Sequence, residues 1–185
     1  MSYPQIVDYN DAVQDPRSFT DPELRAGQID TTPLGLPRAL SGGFALTYTV
    51  QTGNKKFAVR CFHTEVPDAQ FRYSKVSTKL LALGSNYFVR FDFQPQGIRI
   101  RGQTYPIVKM DWAEGKTLGE YLDVAASNAA SIGNLRNCFF ALANYLESNA
   151  IAHGDIQNEN VIVQNNSLRL IDYDGMYIAG VPEGH

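Results

Sequence analysis

Cysteine is scarce in this chain of 185 residues: Cys61 and Cys138 are the only two. Neither belongs to a CxxC pair or to a His/Cys ligand spacing, which argues against a disulfide framework or a zinc site and for two free, mostly buried thiols in a reducing compartment. Long apolar runs are missing as well. None approaches the ~18 residues needed to span a bilayer, and Met1-Ser2-Tyr3-Pro4-Gln5 lacks the basic start of a secretory leader. Charge of one sign never accumulates. Sixteen Lys and Arg stand against 19 Asp and Glu, for a net charge of −3 and a pI near 5.6, so a nucleic-acid surface is not expected. Low-complexity stretches and internal repeats are also absent. These absences lead us to expect a soluble, cytoplasmic protein with neither a membrane nor a nucleic-acid partner. With 44% hydrophobic residues, the chain can build a real core in one unit of one or two lobes.

Along the chain, residues 1–39 are rich in Pro, Asp and Thr. They read as an N-terminal arm with short helices near 11–14 and 21–26, wrapping the domain and anchored by Tyr3, Tyr9 and Phe19. Residues 44–52 and 56–62 are β-branched and aromatic, and Thr52-Gly53-Asn54 between them signals a hairpin. Phe71, Val76, Leu80, Leu81 and Leu83 fit a helix over 68–83 that Gly84 would stop. Strands are expected at 87–94, 97–101 and 105–110, with turns at Gln94-Pro95-Gln96-Gly97 and Arg101-Gly102-Gln103-Thr104. After Trp112 the spacing becomes helical over 117–124 and 132–149, the latter through Leu135, Phe139, Leu142, Ala143 and Leu146. The pattern predicts an α+β, two-lobed protein with a boundary at 109–115.

The chemistry-bearing residues cluster late. His153-Gly154-Asp155-Ile156-Gln157-Asn158-Glu159-Asn160 is followed by Leu168-Arg169-Leu170-Ile171-Asp172-Tyr173-Asp174-Gly175. Asp155 and Asn160 lie five positions apart (160 − 155), and Asp172 lies twelve beyond Asn160 (172 − 160). Phosphoryl transfer requires an aspartate to accept a hydroxyl proton, plus an amide and a second carboxylate to hold metal ions on the nucleotide. Such chemistry depends on positioning and charge neutralisation, which side chains on a rigid loop between a helix and a hairpin (161–163 and 168–171) would provide. Taken singly, each of these residues could equally be an ordinary turn or a solvated strand end.

Together the two stretches resemble the catalytic loop and metal-binding motif of the protein kinase-like superfamily, in particular bacterial Ser/Thr protein kinase-like domains. The resemblance spans most of residues 40–185. It implies the kinase-like two-lobed fold, with 1–39 as the arm, 40–110 as an antiparallel sheet lobe with one helix, and 111–185 as part of the helical lobe. It also implies ATP and Mg²⁺ as cofactors, Asp155 as the catalytic aspartate, and Asn160 and Asp172 as metal ligands. Val108-Lys109-Met110-Asp111-Trp112-Ala113 looks like the hinge, placing Met110 at the gatekeeper and the Asp111 carbonyl and Ala113 amide on the adenine edge. Ser41-Gly42-Gly43-Phe44-Ala45 resembles the nucleotide-covering glycine loop, with Leu40 and Ala45 where the family has its other glycines. By the same similarity Gly42, Gly43, Phe44 and Ala58 belong to the nucleotide-binding set.

Several positions depart from the family. Arg60 stands in Phe57-Ala58-Val59-Arg60 at the place of the phosphate-steering lysine, and its planar fork is not equivalent to a point charge. The following helix offers Lys75 and Lys79 near the position of the usual glutamate, so either Glu65 or another acid reaches Arg60, or the lobe is held differently. Gly154 replaces an arginine and Gln157 a lysine. Asp174 is either a second metal ligand or a turn former. These departures leave three functions open: Ser/Thr-type phosphotransfer to a protein, a catalytically impaired pseudokinase serving as a binding or scaffolding module, and a small-molecule kinase, since His-Gly-Asp also occurs in aminoglycoside and choline phosphotransferases. The family's fold normally continues beyond residue 185, so either a truncated chain or a minimal lobe is implied. With truncation, the uncovered rear of 132–149 would favour self-association.

Overall fold

The computed structural model describes residues 3–179. The ending at 180–185 lies outside the described residues. The chain is mixed α+β with antiparallel sheets, and it packs as two units. One comprises the residues up to Ser74 with Phe91–Trp112, and the other Lys75–Arg90 with the residues from Ala113 on.

In the first unit, alternating apolar residues build a sheet from β1 (Gln28–Ile29), β2 (Ala39–Ser41), β3 (Ala45–Thr52), β4 (Lys55–Phe62), β5 (Phe91–Ile100) and β6 (Gln103–Asp111). The strand order is β1-β3-β4-β6-β5, with β2 beside β3. Thr52 pairs with Lys55, and Gly53 supplies the positive φ of 58° that the two-residue hairpin turn requires. The pairs Val59↔Lys109 and Ala58↔Met110 put successive β4 residues on opposite faces. Phe57, Val59 and Cys61 enter the core, and Ala58 and Arg60 face the other way.

The core face is completed by the arm. Its helix α1 (Ile6–Val13) begins earlier than the 11–14 expected, because the Asp8 carboxylate accepts the Gln5 N–H at 2.9 Å and closes the first turn. A 3-10 turn at Pro16–Ser18 leads into α2 (Pro22–Arg25), where Pro22 sits at the first position and Asp21 caps the Glu23 and Leu24 amides at 2.9 and 3.1 Å. Tyr9, Val13, Phe19 and Leu24 are buried among Tyr48, Val50, Val59, Ile98 and Ile107. The Tyr9 hydroxyl donates to the Phe62 carbonyl at 2.5 Å, and burial pushes its pKa up. Tyr3 is only half-buried and tilts against Tyr105. Lys109, on the arm-facing side of β6, reaches the carboxylates of Asp21 at 3.0 Å and Glu23 at 2.7 Å.

The arm also explains why Gln94-Pro95-Gln96-Gly97 is not the expected turn. β5 runs straight through it as one strand with a shifted register between Gln94 and Ile98. Pro95 has no N–H for the ladder, and a bulge absorbs it. The arm takes up the bulge's carbonyls: the Thr20 N–H donates to Gly97 at 3.0 Å and its hydroxyl to Gln96 at 2.8 Å. Residues 87–90, expected to begin this strand, instead make an isolated parallel bridge through Phe88 to Leu170.

Helix α3 (Ala69–Leu83) starts in the first unit, where Tyr73 stacks on Phe93 at 5.4 Å, and ends at Gly84, whose φ is 57°. The second unit adds β7 (Lys116–Thr117), α4 (Leu118–Ala125), α5 (Ala129–Ser148), β8 (Ile151–Ala152), β9 (Val161–Gln164), β10 (Ser167–Leu170) and β11 (Tyr177–Ile178). β7, β9 and β10 form one small sheet, and β8 and β11 another. Thr117 and Glu120 form a reciprocal capping box at the start of α4. Asn128 caps α5 by accepting the Ser131 N–H at 3.0 Å, so that helix begins before the expected residue 132. Leu135, Leu142 and Leu146 of α5 are buried, whereas Phe140 is 63% exposed. Among the described residues no helix is long and apolar enough to cross a membrane.

Candidate functional site

The expected site residues fall into two groups, one in each unit. In the first, the pairs Ala58↔Met110 and Arg60↔Val108 place Ala58, Arg60 and Met110 on the sheet face opposite the arm. Gly42, Gly43 and Phe44 form the exposed link between β2 and β3, closed by a hydrogen bond from the Gly42 N–H to the Ala45 carbonyl at 2.9 Å. A Cβ on Gly43 would meet nothing within 4 Å. The fold therefore does not itself demand that residue's bare backbone. His63 lies beside this link, with Nε2 at 3.4 Å from the Gly42 carbonyl. Asp111 ends β6 with its side chain exposed. Glu65 is exposed, and with burial as the larger cause its charge raises the Tyr3 pKa.

The second group is more tightly built. Ala113 follows Trp112 into this unit and is half-buried. Asp155, Asn160 and Asp172 are carried on two adjoining loops. Asn160 is buried, and its Nδ2 donates to the Asp155 carboxylate at 2.8 Å and to the Asp155 carbonyl at 3.1 Å. Gln157 adds a donor to the same carboxylate oxygen at 3.2 Å. This double grip fixes Asp155, which is otherwise exposed. The Ile171 N–H donates to the Asn160 carbonyl at 3.0 Å, linking the Asp172 loop to the Asp155 loop.

His153 makes the second link. It is 1% exposed, and its Nε2 lies 3.1 Å from the Ile171 carbonyl. Because a carbonyl can only accept, the ring carries its proton on Nε2. Nδ1 lies near the Asp155 backbone but makes no hydrogen bond of ordinary geometry. Burial pulls the imidazole pKa down against the opposing pull of the Ile171 hydrogen bond and the charges of Asp172 and Asp155, so the ring is neutral at pH 7.

Two residues of these loops have positive φ. Asp172 has φ of 63°, the left-handed region that non-glycine residues seldom occupy outside functional sites and turns. Its Oδ1 accepts the Asp174 N–H at 3.4 Å. Gly154 has φ of 80°, and a Cβ there would run into the backbone of Gly175, overlapping its carbonyl oxygen and coming within 2.8 Å of its carbonyl carbon. A glycine at this position therefore has a physical reason: the two loops touch backbone to backbone at this point.

Compared with models of known protein families and with curated proteins, the sequence matches none. The geometry must therefore carry the reading alone.

Among the described residues no group of three or more His, Cys, Asp or Glu side chains could hold a metal ion unaided. Asn160 and Asp172 offer oxygen atoms, the donor type that suits Mg²⁺, which commonly takes one or two side chains and completes its shell with phosphate and water. A groove of about 460 Å³ in the second unit, between Lys116, Tyr121, Val124, Asn128 and Gln164, includes none of the expected site residues. It offers no carboxylate, imidazole or thiol for chemistry.

Three residues that hold this site carried no role in the sequence reading: His153, Ile171 and Gly175. His153 had a usable signal, an imidazole beside Gly-Asp shortly after an amphipathic helix. Ile171 acts through its backbone and has no side-chain signature.

Proposed function

We propose that this protein is an ATP- and Mg²⁺-dependent phosphotransferase of protein kinase-like type, moving the γ-phosphate to a hydroxyl of a protein or small molecule. The observation that carries the reading is the coupling of Asp155, Asn160 and Asp172: an amide locked onto one carboxylate, its backbone bonded to the residue preceding the other. In this reading Asp155 accepts the proton of the attacking hydroxyl. Asn160 and Asp172 supply oxygen ligands to Mg²⁺, whose charge would offset that of the phosphates. Gly42 and Gly43 let backbone amides approach the phosphates, as in other glycine-rich anion cradles. Ala58, Met110, Asp111 and Ala113 take the adenine, with Phe44 alongside, and Arg60 provides the steering cation.

One observation favours the rival reading of a catalytically impaired, nucleotide-binding module. Gln157, which stands at the lysine position, turns its amide onto Asp155 instead of offering a charge. Transfer of radiolabelled γ-phosphate from ATP separates the two. Asp155→Asn should lower the rate about 10²–10⁴-fold, the usual contribution of a general base. Equal rates in wild type and variant would remove Asp155 from the mechanism, and no transfer by the wild type to either class of acceptor would leave the binding module.

A further inference from the structure

Tyr173 is 1% exposed within the second unit, and its hydroxyl meets three backbone atoms, with the Val89 carbonyl at 3.3 Å the longest of the three contacts. It accepts the Val89 N–H at 2.8 Å and donates to the Leu170 carbonyl at 2.8 Å. The first contact reaches a segment 84 positions upstream, and the second folds the chain back on a residue three positions away. The upstream segment is fixed from its other side as well: the Leu170 N–H donates to the Tyr87 carbonyl at 2.8 Å, and Phe88 bridges Leu170 in parallel. The ring itself is held edge-on by Phe88 at 6.2 Å and by His153 at 6.1 Å.

Between the two ends of that short closure sit only Ile171 and Asp172. Both polar backbone atoms of Ile171 are engaged, by Asn160 and His153. Asp172 thus lies between two held residues, with a φ of 63°. A phenylalanine would fill the same space and stack on the same rings, but it would leave the turn open. The hydroxyl is therefore the one group of Tyr173 that apolar packing does not explain.

We infer that Tyr173 is a positioning residue for Asp172: by tying Val89 to Leu170, its hydroxyl closes the turn and presents the Asp172 carboxylate in one fixed orientation. The latch stands on the hydrogen bonds alone, and only its consequence for metal-nucleotide binding rests on the phosphotransferase reading. Such a built-in latch makes the loop permanently set rather than switched.

Tyr173→Phe tests it through two readouts in the full chain. Hydrogen exchange at the amides of 171–176 should quicken roughly tenfold as the turn loosens. Calorimetric titration should show Mg²⁺-dependent ATP affinity falling roughly five- to tenfold, while metal-free ATP binding stays unchanged. Tyr48→Phe is the control, because it also removes a hydroxyl hydrogen bond, to Asn10 at 2.7 Å in the first unit, and should move neither readout. Unchanged exchange in Tyr173→Phe, or equal changes in both variants, would overturn the latch. Faster exchange in a protein whose wild type binds no Mg²⁺-ATP would keep the latch and defeat the phosphotransferase reading. In the wild type, rapid exchange of the Val89 amide would contradict the latch even if no variant folds.

Discussion

Replacing Gly154 by alanine is expected to destabilise the protein by about 3 kcal/mol or more, a drop of roughly 6–12 °C in the thermal midpoint for a chain of this size. Two effects act together. The residue's φ of 80° is strained for any side chain, and the added Cβ would collide with backbone atoms of Gly175, which cannot rotate out of the way as a side-chain tip can. The collision also falls between the Asp155 and Asp172 loops, so relief would come by separating the residues proposed for chemistry. Gly175→Ala is the informative partner. Its Cβ would come no closer than 3.4 Å to Gly154 and His153, and no positive φ opposes it. That variant should lose about 1 kcal/mol or less. Thermal denaturation of the two side by side checks the asymmetry, and equal midpoints would mean that the loops do not meet as described.

Cutting into the arm should cost as much. Leu24→Ala is expected to destabilise by about 3 kcal/mol, within the range of fully buried leucines, and removal of residues 1–39 should leave no cooperative unfolding transition in the sheet unit. Tyr9, Val13, Phe19 and Leu24 are each at most 2% exposed, so the deletion would uncover one whole face of β3 and β4. The same attachment should weaken in acid. The pKa of Asp21 is lowered: desolvation opposes this, but hydrogen bonds from Lys109, Leu24 and Gln94 outweigh it. That of Glu23 is lowered by its hydrogen bonds to Lys109 and Lys55. Carboxylates depressed in the folded state add stability above their ordinary values near 4, and this is lost as pH falls through the depressed ones. Asp21→Asn should therefore flatten the acid limb of stability against pH. A deletion that keeps its thermal midpoint would show that the arm is dispensable.

The parts that were legible in the sequence are those written locally. β-Branched and aromatic residues on either side of Thr52-Gly53-Asn54 mark the β3–β4 hairpin, and Gly84 marks the end of α3. Asp155, Asn160 and Asp172 stand out because side-chain chemistry at fixed spacing is visible without coordinates. Features set by distant partners were hidden. Pro95-Gln96-Gly97 looks like a turn until Thr20 supplies its hydrogen bonds from 76 or more positions away. The start of α1 depends on a cap at Asp8 that no apolar periodicity announces. β8 and β11 are only two residues each, too short to show alternation. Gly154 reads as a missing arginine when compared with a family, and its reason appears only once Gly175 is seen against it.

The central claim is that Asn160 and Asp172, held by Asp155, His153 and Tyr173, form the metal end of a nucleotide site. Calorimetric titration of ATP with and without Mg²⁺ into the wild type and Asp172→Ala tests it most directly. The account predicts Mg²⁺-dependent binding by the wild type and at least a roughly tenfold loss in the variant, or about 1.4 kcal/mol. Metal-independent binding of equal strength in both proteins, or none in either, would contradict it.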